Sequence, residues 1–341
     1  MILLLTSGVC APVFAGSFSF ADLLQEPATI THPSGYIGEG GKVTVSVCID
    51  PESESRVELA IAIQNSIQHW NRLEPSLGNS QMSPESGVPA DHVDAESVLL
   101  HEIGHCIGLA HPNLASESGL SGDKRRFARA IPGSGPDNGY TLHAGSDGVI
   151  ATVDDERGDD VNLHWFRKSN NNPFSIADVV DASTYSVDVA DLPAGHAYPA
   201  VAGKQVSSSL GLTPAEAVMH QGIYYGEKRT GLGHDDVAMA RLAMAGTDRV
   251  HDTENSYELE ISYEGVGSNC DITVWMGGHS FAQCSVSGSP IAPNHWQVSG
   301  ATIKMAPTSH INWHFNDTVE TDEPVDNEAG RIFGSSFDGS N

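Results

Sequence analysis

Residues 101–112 read HEIGHCIGLAHP, and no other stretch constrains this 341-residue chain as strongly. On a helix, His101 and His105 lie about one turn apart, so both imidazoles project from one face and can share a metal ion. Gly108 can adopt the left-handed conformation that ends a helix and turns the chain. That turn can bring His111 back as a third ligand, which leaves the fourth tetrahedral position open for water. Glu102 is placed to reach that water.

The competing interpretation is a buried helix whose histidines share this spacing by accident. Five specified residues at fixed offsets should occur by chance in well under about one chain of this size in a thousand. The pattern therefore favours a zinc site with His101, His105 and His111 as ligands and Glu102 as general base.

These residues resemble the extended zinc motif of the metzincin metallopeptidases. The resemblance implies an α+β catalytic domain in which a twisted sheet carries a zinc helix and a C-terminal helix. It also implies a methionine turn beneath the metal, and residues 216–221 (EAVMHQ) are similar to that turn. Met219 would then form an apolar floor under the imidazoles, although a lone methionine is more often plain core. Residues 234–244 resemble the C-terminal helix of a matrixin, whereas Pro112 is similar to the serralysins.

The start of the chain also resembles a matrixin. Residues 42–50 alternate as a strand, and Leu59, Ile63, Ile67 and Trp70 then recur at helical spacing. A matrixin places several strands, including the edge strand that binds substrate backbone, between its first helix and its zinc helix. Only about twenty residues are available here, too few for strands of roughly five to six residues each. These strands must come from elsewhere or be absent, and we expect residues 113–212, a large insertion, to be their source.

The insertion contains a cluster of carboxylates in glycine-containing loops. Its members are Asp147, Asp154, Asp155, Asp159 and Asp160. Carboxylate oxygens are calcium ligands, but neither an EF-hand nor a repeat spacing is present. A calcium site and a solvated acidic loop both remain open at this point.

After Asp248 the sequence changes character. Short alternating strands separated by Gly, Ser, Asn and Pro predict a small antiparallel β-sandwich over residues 249–320. We expect the catalytic domain to occupy residues 16–248 and residues 321–341 to form an acidic tail.

The cysteines and the N-terminal residues indicate the cellular compartment of the protein. Residues 1–15 are short, apolar and end in small residues, as a signal peptide does, although a buried N-terminal strand is the alternative. Removing them leaves Cys48, Cys106, Cys270 and Cys284, an even number that predicts two disulfides in an exported chain. Cys270 and Cys284 flank a predicted hairpin and are expected to pair locally, which leaves Cys48 to pair with Cys106.

The charge balance bears on partners. There are 17 basic and 44 acidic residues, a formal net charge of −27, which argues against nucleic acid as a partner. No segment beyond the N-terminus is long and apolar enough to span a bilayer. The oligomeric state is not indicated.

The sequence predicts an exported zinc endopeptidase that acts on protein or peptide substrates. One alternative is a metzincin-fold binding or adhesion protein with weak or no catalysis. Another is a zinc hydrolase that acts on a different amide.

Overall fold

The computed structural model describes residues 2–4, 18–21, 26, 28–111, 165–168, 174–188, 191, 204–209, 211–220, 222–278 and 281–320. These residues form a mixed α/β fold with one mostly parallel sheet and few helices. The helices are α1 (Arg56–Arg72), α2 (Ala95–Cys106), α3 (Lys204–Ser209) and α4 (His234–Met244). The strands are β1 (Ile2–Leu4), β2 (Ile30–His32), β3 (Gly41–Ile49), β4 (Ser80–Met82), β5 (Val93–Asp94), β6 (Phe166–Arg167), β7 (Tyr185–Ser186), β8 (Gly222–Tyr224), β9 (Glu227–Arg229), β10 (Tyr257–Val266), β11 (Ile272–Met276), β12 (Ala282–Ala292), β13 (His295–Met305) and β14 (Trp313–His314).

The central sheet has the strand order β10-β3-β11-β13-β12. Its neighbouring strands run parallel except for β12, which pairs antiparallel with β13 and forms one edge of the sheet. Strand β2 pairs with the first residues of β13, while β11 pairs with the last ones. The remaining described strands form two-stranded pairs: β1 with β8, β4 with β9, β5 with β14 and β6 with β7.

Helices α1 and α2 pack together beside this sheet. Leu59, Ile63 and Trp70 of α1 are fully buried, as their helical spacing predicts. The Trp70 indole Nε1–H donates to the Leu100 carbonyl at 2.9 Å, which joins α1 to α2. The helix that carries His101 and His105 is therefore held in the core, packed against α1 and against strands β12 and β13.

The predicted antiparallel sandwich over residues 249–320 is wrong. Strands β10, β11, β12 and β13 share one sheet with β2 and β3, and most of the pairings are parallel. The prediction failed because alternation of apolar and polar residues reports which face of a strand is buried, and says nothing about its neighbours.

The expected source of the missing strands is also wrong for the described residues. Within residues 113–212, the described elements are β6, β7 and α3, and none of them joins the central sheet. The strands that flank β3 instead come from residues 257–305, after α4 in the chain. The sheet is thus completed by the C-terminal part of the sequence.

Both predicted disulfide pairings are wrong, although two disulfides are present. Cys48 is bonded to Cys270, and Cys106 is bonded to Cys284. Strands β11 and β12 lie on opposite sides of β13, so the segment between them is not a hairpin that could bring Cys270 to Cys284.

Two observations bear on membrane and leader predictions. None of the helices in the described part of the chain has both the length and the apolar character needed to cross a bilayer. Residues Ile2–Leu4 form a strand that pairs antiparallel with β8. The signal peptide stays a prediction.

Proteolysis of the unreduced protein and mass spectrometry should find the linked peptides Cys48–Cys270 and Cys106–Cys284. A Cys270–Cys284 crosslink would contradict the strand order, because β13 separates the strands next to those residues. Reduced and alkylated protein is the control, in which both linked peptides should disappear.

Candidate metal site

The helix that carries the site begins at a strong N-cap. The Asp94 carboxylate accepts hydrogen bonds from the Ser97 main-chain N–H at 2.9 Å and from its hydroxyl at 2.5 Å. Burial raises the pKa of Asp94 to about 6, although these hydrogen bonds act in the opposite direction. Apolar residues such as Val98, Leu99 and Ile103 are fully buried, so the helix is surrounded by core.

The helix ends where the motif predicts. Gly108 has φ +111°, a conformation that side chains disfavour. A Cβ atom at this position would also lie 2.8 Å from the Thr31 carbonyl oxygen of β2. A glycine is therefore required at position 108 for two reasons: the turn needs a positive φ, and β2 packs too close to leave room for a side chain.

The three histidines converge. The Nε2 atoms of His105 and His111 lie 3.1 Å apart, and those of His111 and His101 lie 3.3 Å apart. Candidate ligand atoms of the three residues all lie within 4.8 Å of one another, so this group could hold a metal ion. The structure thus brings together the three histidines that the sequence predicts as ligands of one metal ion, and the identity of that metal stays a prediction.

Hydrogen bonds determine which nitrogen of two imidazoles is free. His101 Nδ1 lies 2.6 Å from the Val218 carbonyl oxygen, and His105 Nδ1 lies 2.9 Å from that of Leu109. A carbonyl only accepts, so each Nδ1 must carry the proton and each neutral Nε2 keeps its lone pair.

Burial keeps these imidazoles neutral. It lowers the pKa of His101 well below its ordinary value and that of His105 to about 3, and neighbouring imidazoles add to both effects. Neutral imidazoles with convergent Nε2 lone pairs are the donors that a divalent transition metal binds, so the residues present fit a metal ion.

Glu102 contacts the edge strand of the sheet. It is only 2% exposed, and its Oε2 accepts the Cys284 main-chain N–H of β12 at 2.6 Å. Burial raises the pKa of Glu102 to about 8, while this hydrogen bond lowers it. Glu102 is thus a buried carboxylate with a strong affinity for a proton, one residue from the first histidine.

Met219 packs against α2 at Gly104, which lies between His101 and His105 in the sequence. A Cβ atom built on Gly104 would overlap the Met219 sulfur and lie 2.8 Å from the Trp70 ring. Gly104 therefore provides the space that Met219 occupies. The role of Met219 as a floor for a bound metal stays a prediction.

A buried carboxylate shapes the backbone around Met219. Asp236, in the first turn of α4, accepts the main-chain N–H groups of Val218 at 2.7 Å, Met219 at 3.0 Å and Gly233 at 2.7 Å. Burial raises the pKa of Asp236 to about 6, against the effect of these donors.

Arg229 supports the same turn and was not predicted from the sequence. Its fully buried guanidinium donates to the carbonyls of Val218, His220 and Gly222, and pairs with Glu216 at 2.6 Å. Burial raises the pKa of Glu216, but the charges of His220, Arg229 and Lys204 outweigh it and hold that pKa below its usual value. An Arg in a three-residue strand carries no sequence signal of this role.

A residue near the N-terminus, Ser19, also supports the motif. The Ser19 main-chain N–H donates to the Gly108 carbonyl at 2.9 Å, and its hydroxyl donates to the Leu109 carbonyl at 3.0 Å. The latter carbonyl also accepts from His105, so Ser19 helps to orient the acceptor of a candidate ligand.

Several predicted residues lie outside the described part of the chain. They are Pro112 and the proposed calcium ligands Asp147, Asp154, Asp155, Asp159 and Asp160.

Comparisons with known proteins give no match: no protein-family model, no curated protein and no solved structure is significantly similar to the chain.

Replacing Gly104 by Ala should weaken metal binding about tenfold or more, because its Cβ would collide with the Met219 sulfur and the Trp70 ring and shift the helix segment that carries His101 and His105. Competition with a chelating dye measures the affinity. Gly300→Ala is the matched control, because a Cβ there meets only the Ser287 hydroxyl at 3.7 Å. Unchanged affinity in both variants would contradict this role of Gly104.

Arg229→Met should lower the free energy of unfolding by about 3–5 kcal/mol, because it leaves the Glu216 carboxylate buried without its closest cation. The double variant Arg229→Met/Glu216→Gln should recover part of that loss. Urea unfolding measures both, and Arg56→Met at an exposed position is the control, with an expected change within about 0.5 kcal/mol. Equal losses in the single and double variants would contradict the ion pair's importance.

Proposed function

We propose that this chain is a zinc-dependent endopeptidase with a metzincin-like catalytic domain. The observation that carries the proposal is the convergence of the three histidine Nε2 atoms, two of them from the helix that also holds the buried Glu102, the residue after His101. Three imidazoles leave one tetrahedral position open, which is typical of catalytic zinc sites and not of structural ones. Neutral nitrogen donors without thiolates or further carboxylates favour zinc over calcium or magnesium.

Each residue then has a role in peptide hydrolysis. A zinc ion bound by His101, His105 and His111 would supply a water of lowered pKa and polarise the scissile carbonyl. Glu102 accepts the proton of the attacking water and transfers it to the leaving amine nitrogen. The Cys284 N–H holds Oε2 of this carboxylate. Met219 packs against this helix at Gly104 and would help to keep the geometry of the ligands on either side of it in the sequence.

The edge position of strand β12 is evidence in favour of a peptide substrate. It is an edge strand of the sheet, and the Cys284 N–H points away from β13 because it donates to Glu102. By the two-residue period of a strand, the main chain of Val286 faces the same side. An extended peptide could pair with this edge and pass Glu102, which is the edge-strand binding that the family resemblance implies.

Export is part of the proposal. Two disulfides are present, and such bonds persist mainly in oxidising compartments. The apolar residues 1–15 would serve as the signal peptide. We therefore propose a periplasmic, secreted or cell-surface location.

Zinc analysis and digestion of a peptide library, with and without a chelator, distinguish this function from its alternatives. An endopeptidase contains zinc and cleaves peptides only without the chelator. A binding or adhesion protein would retain zinc and cleave none of them. A hydrolase of other amides would cleave small amides and leave peptides intact.

Glu102→Gln should keep zinc bound and lower turnover about 10²- to 10⁴-fold, because the amide cannot accept the proton of the attacking water. Zinc stoichiometry and kcat on a fluorogenic peptide measure the two effects. Glu58→Gln, on the exposed face of α1, is the matched control and should keep full activity. Full turnover in Glu102→Gln would show that Glu102 is not the general base.

A further inference from the structure

One residue of the edge strand is attached twice to the helix that carries the histidines. Cys106 Sγ is bonded to Cys284 Sγ at 2.01 Å, and Glu102 Oε2 accepts the Cys284 main-chain N–H at 2.6 Å. Glu102 and Cys106 are four residues apart, so they share one face of α2. Cys284 thus meets this face through its side chain and through its backbone.

We propose that Cys284 is a positioning residue for Glu102 and that the Cys106–Cys284 disulfide holds its N–H in place during catalysis. The proposal rests on the peptidase function proposed above. It assigns to this disulfide a role in turnover that the second disulfide, Cys48–Cys270, does not share.

The Glu102 carboxylate depends on this contact. Within the described residues, the Cys284 N–H is the one hydrogen-bond donor to the carboxylate, and the side chain is only 2% exposed. Glutamate has several rotatable bonds, so a single directed donor decides where its oxygens lie. That donor belongs to β12, not to the helix that carries Glu102.

Strand β12 needs a restraint to keep this donor in place. Among the described strands it pairs only with β13, and its register shifts between Ser287 and Gly288 and again between Pro290 and Ala292. An edge strand with bulges opens more readily than a central strand, and substrate pairing would pull on its free side. The disulfide at Cys284 lies before both irregularities and ties the strand to α2.

The second disulfide is a natural matched control. Cys48 lies on β3 and Cys270 just before β11, so this bond crosslinks neighbouring central strands and does not involve Glu102. The two crosslinks enclose long segments of similar size, with sequence separations of 222 and 178 residues. Loss of either disulfide should therefore lower the free energy of unfolding by a similar amount.

The test compares kcat, KM, zinc content and melting temperature for Cys106→Ala/Cys284→Ala and Cys48→Ala/Cys270→Ala. We expect the first variant to lose about 10- to 100-fold in kcat, with little change in KM and with zinc still bound, because a misplacement of about 1 Å costs on that order. We expect the second variant to keep its kcat at temperatures below its melting point. A merely structural role would lower melting temperature in both variants without this difference in kcat.

A second double variant tests the hydrogen bond from the Cys284 N–H to Glu102 separately from the disulfide. Proline is tolerated where an edge-strand N–H does not bond to the next strand, and Cys106→Ala/Cys284→Pro removes this N–H as well as the disulfide. It should lose more kcat than Cys106→Ala/Cys284→Ala. If the alanine pair does not fold, Cys106→Ser/Cys284→Ser provides the same comparison with smaller changes in volume.

The outcomes separate the two proposals. Cleavage by the wild-type protein with undiminished kcat in Cys106→Ala/Cys284→Ala overturns the positioning role alone. So does an equal loss of kcat in the two alanine pairs. A wild-type protein that binds zinc and cleaves no peptide overturns the peptidase function, and the positioning role with it.

Discussion

The hydrogen bond between His101 and the Val218 carbonyl is the contact on which the site depends most. It joins the centre of α2 to a turn 117 residues further along the chain, at 2.6 Å and in a fully buried position. The tautomer of His101 follows from it, because the carbonyl can only accept. The position of this carbonyl is determined in turn by Arg229, which donates to the same oxygen, and by Asp236, which accepts the Val218 N–H. Arg229 and Asp236 therefore orient His101 indirectly, through the main chain of Val218.

The order of strands explains why both disulfides link distant parts of the chain. Strands β10–β13 follow α4 in the sequence, yet they flank β3 and support α2. Contacts of such long range are entropically costly to form. Each disulfide crosslinks one N-terminal element to this C-terminal group: Cys48 on β3 with Cys270, and Cys106 on α2 with Cys284. Closing long loops is the situation in which a crosslink restricts the unfolded chain most.

The sequence was most informative where chemistry depends on local spacing. His101 and His105 could be paired because four residues make about one helical turn, and Gly108 because its turn requires a positive φ. Strand partners could not be predicted, because alternation along β12 is the same for a sandwich and for the edge of a parallel sheet. The cysteine pairing failed for that reason, since it assumed a hairpin between strands that β13 separates. Arg229 was missed because burial of a charged residue depends entirely on tertiary contacts.

The geometry of β12 reconciles two demands on one strand. A peptide that pairs with its free edge needs outward N–H and carbonyl groups, whereas Glu102 needs one of these N–H groups for itself. Side chains of a strand point perpendicular to its main-chain hydrogen bonds, so Cys284 can offer its N–H to Glu102 along the edge and its sulfur to Cys106 on the α2 side. Val286, two residues on, then presents the next outward main-chain groups. In the proposed peptidase, successive outward positions of β12 would therefore divide two tasks: Cys284 would hold the base and Val286 would bind the substrate backbone.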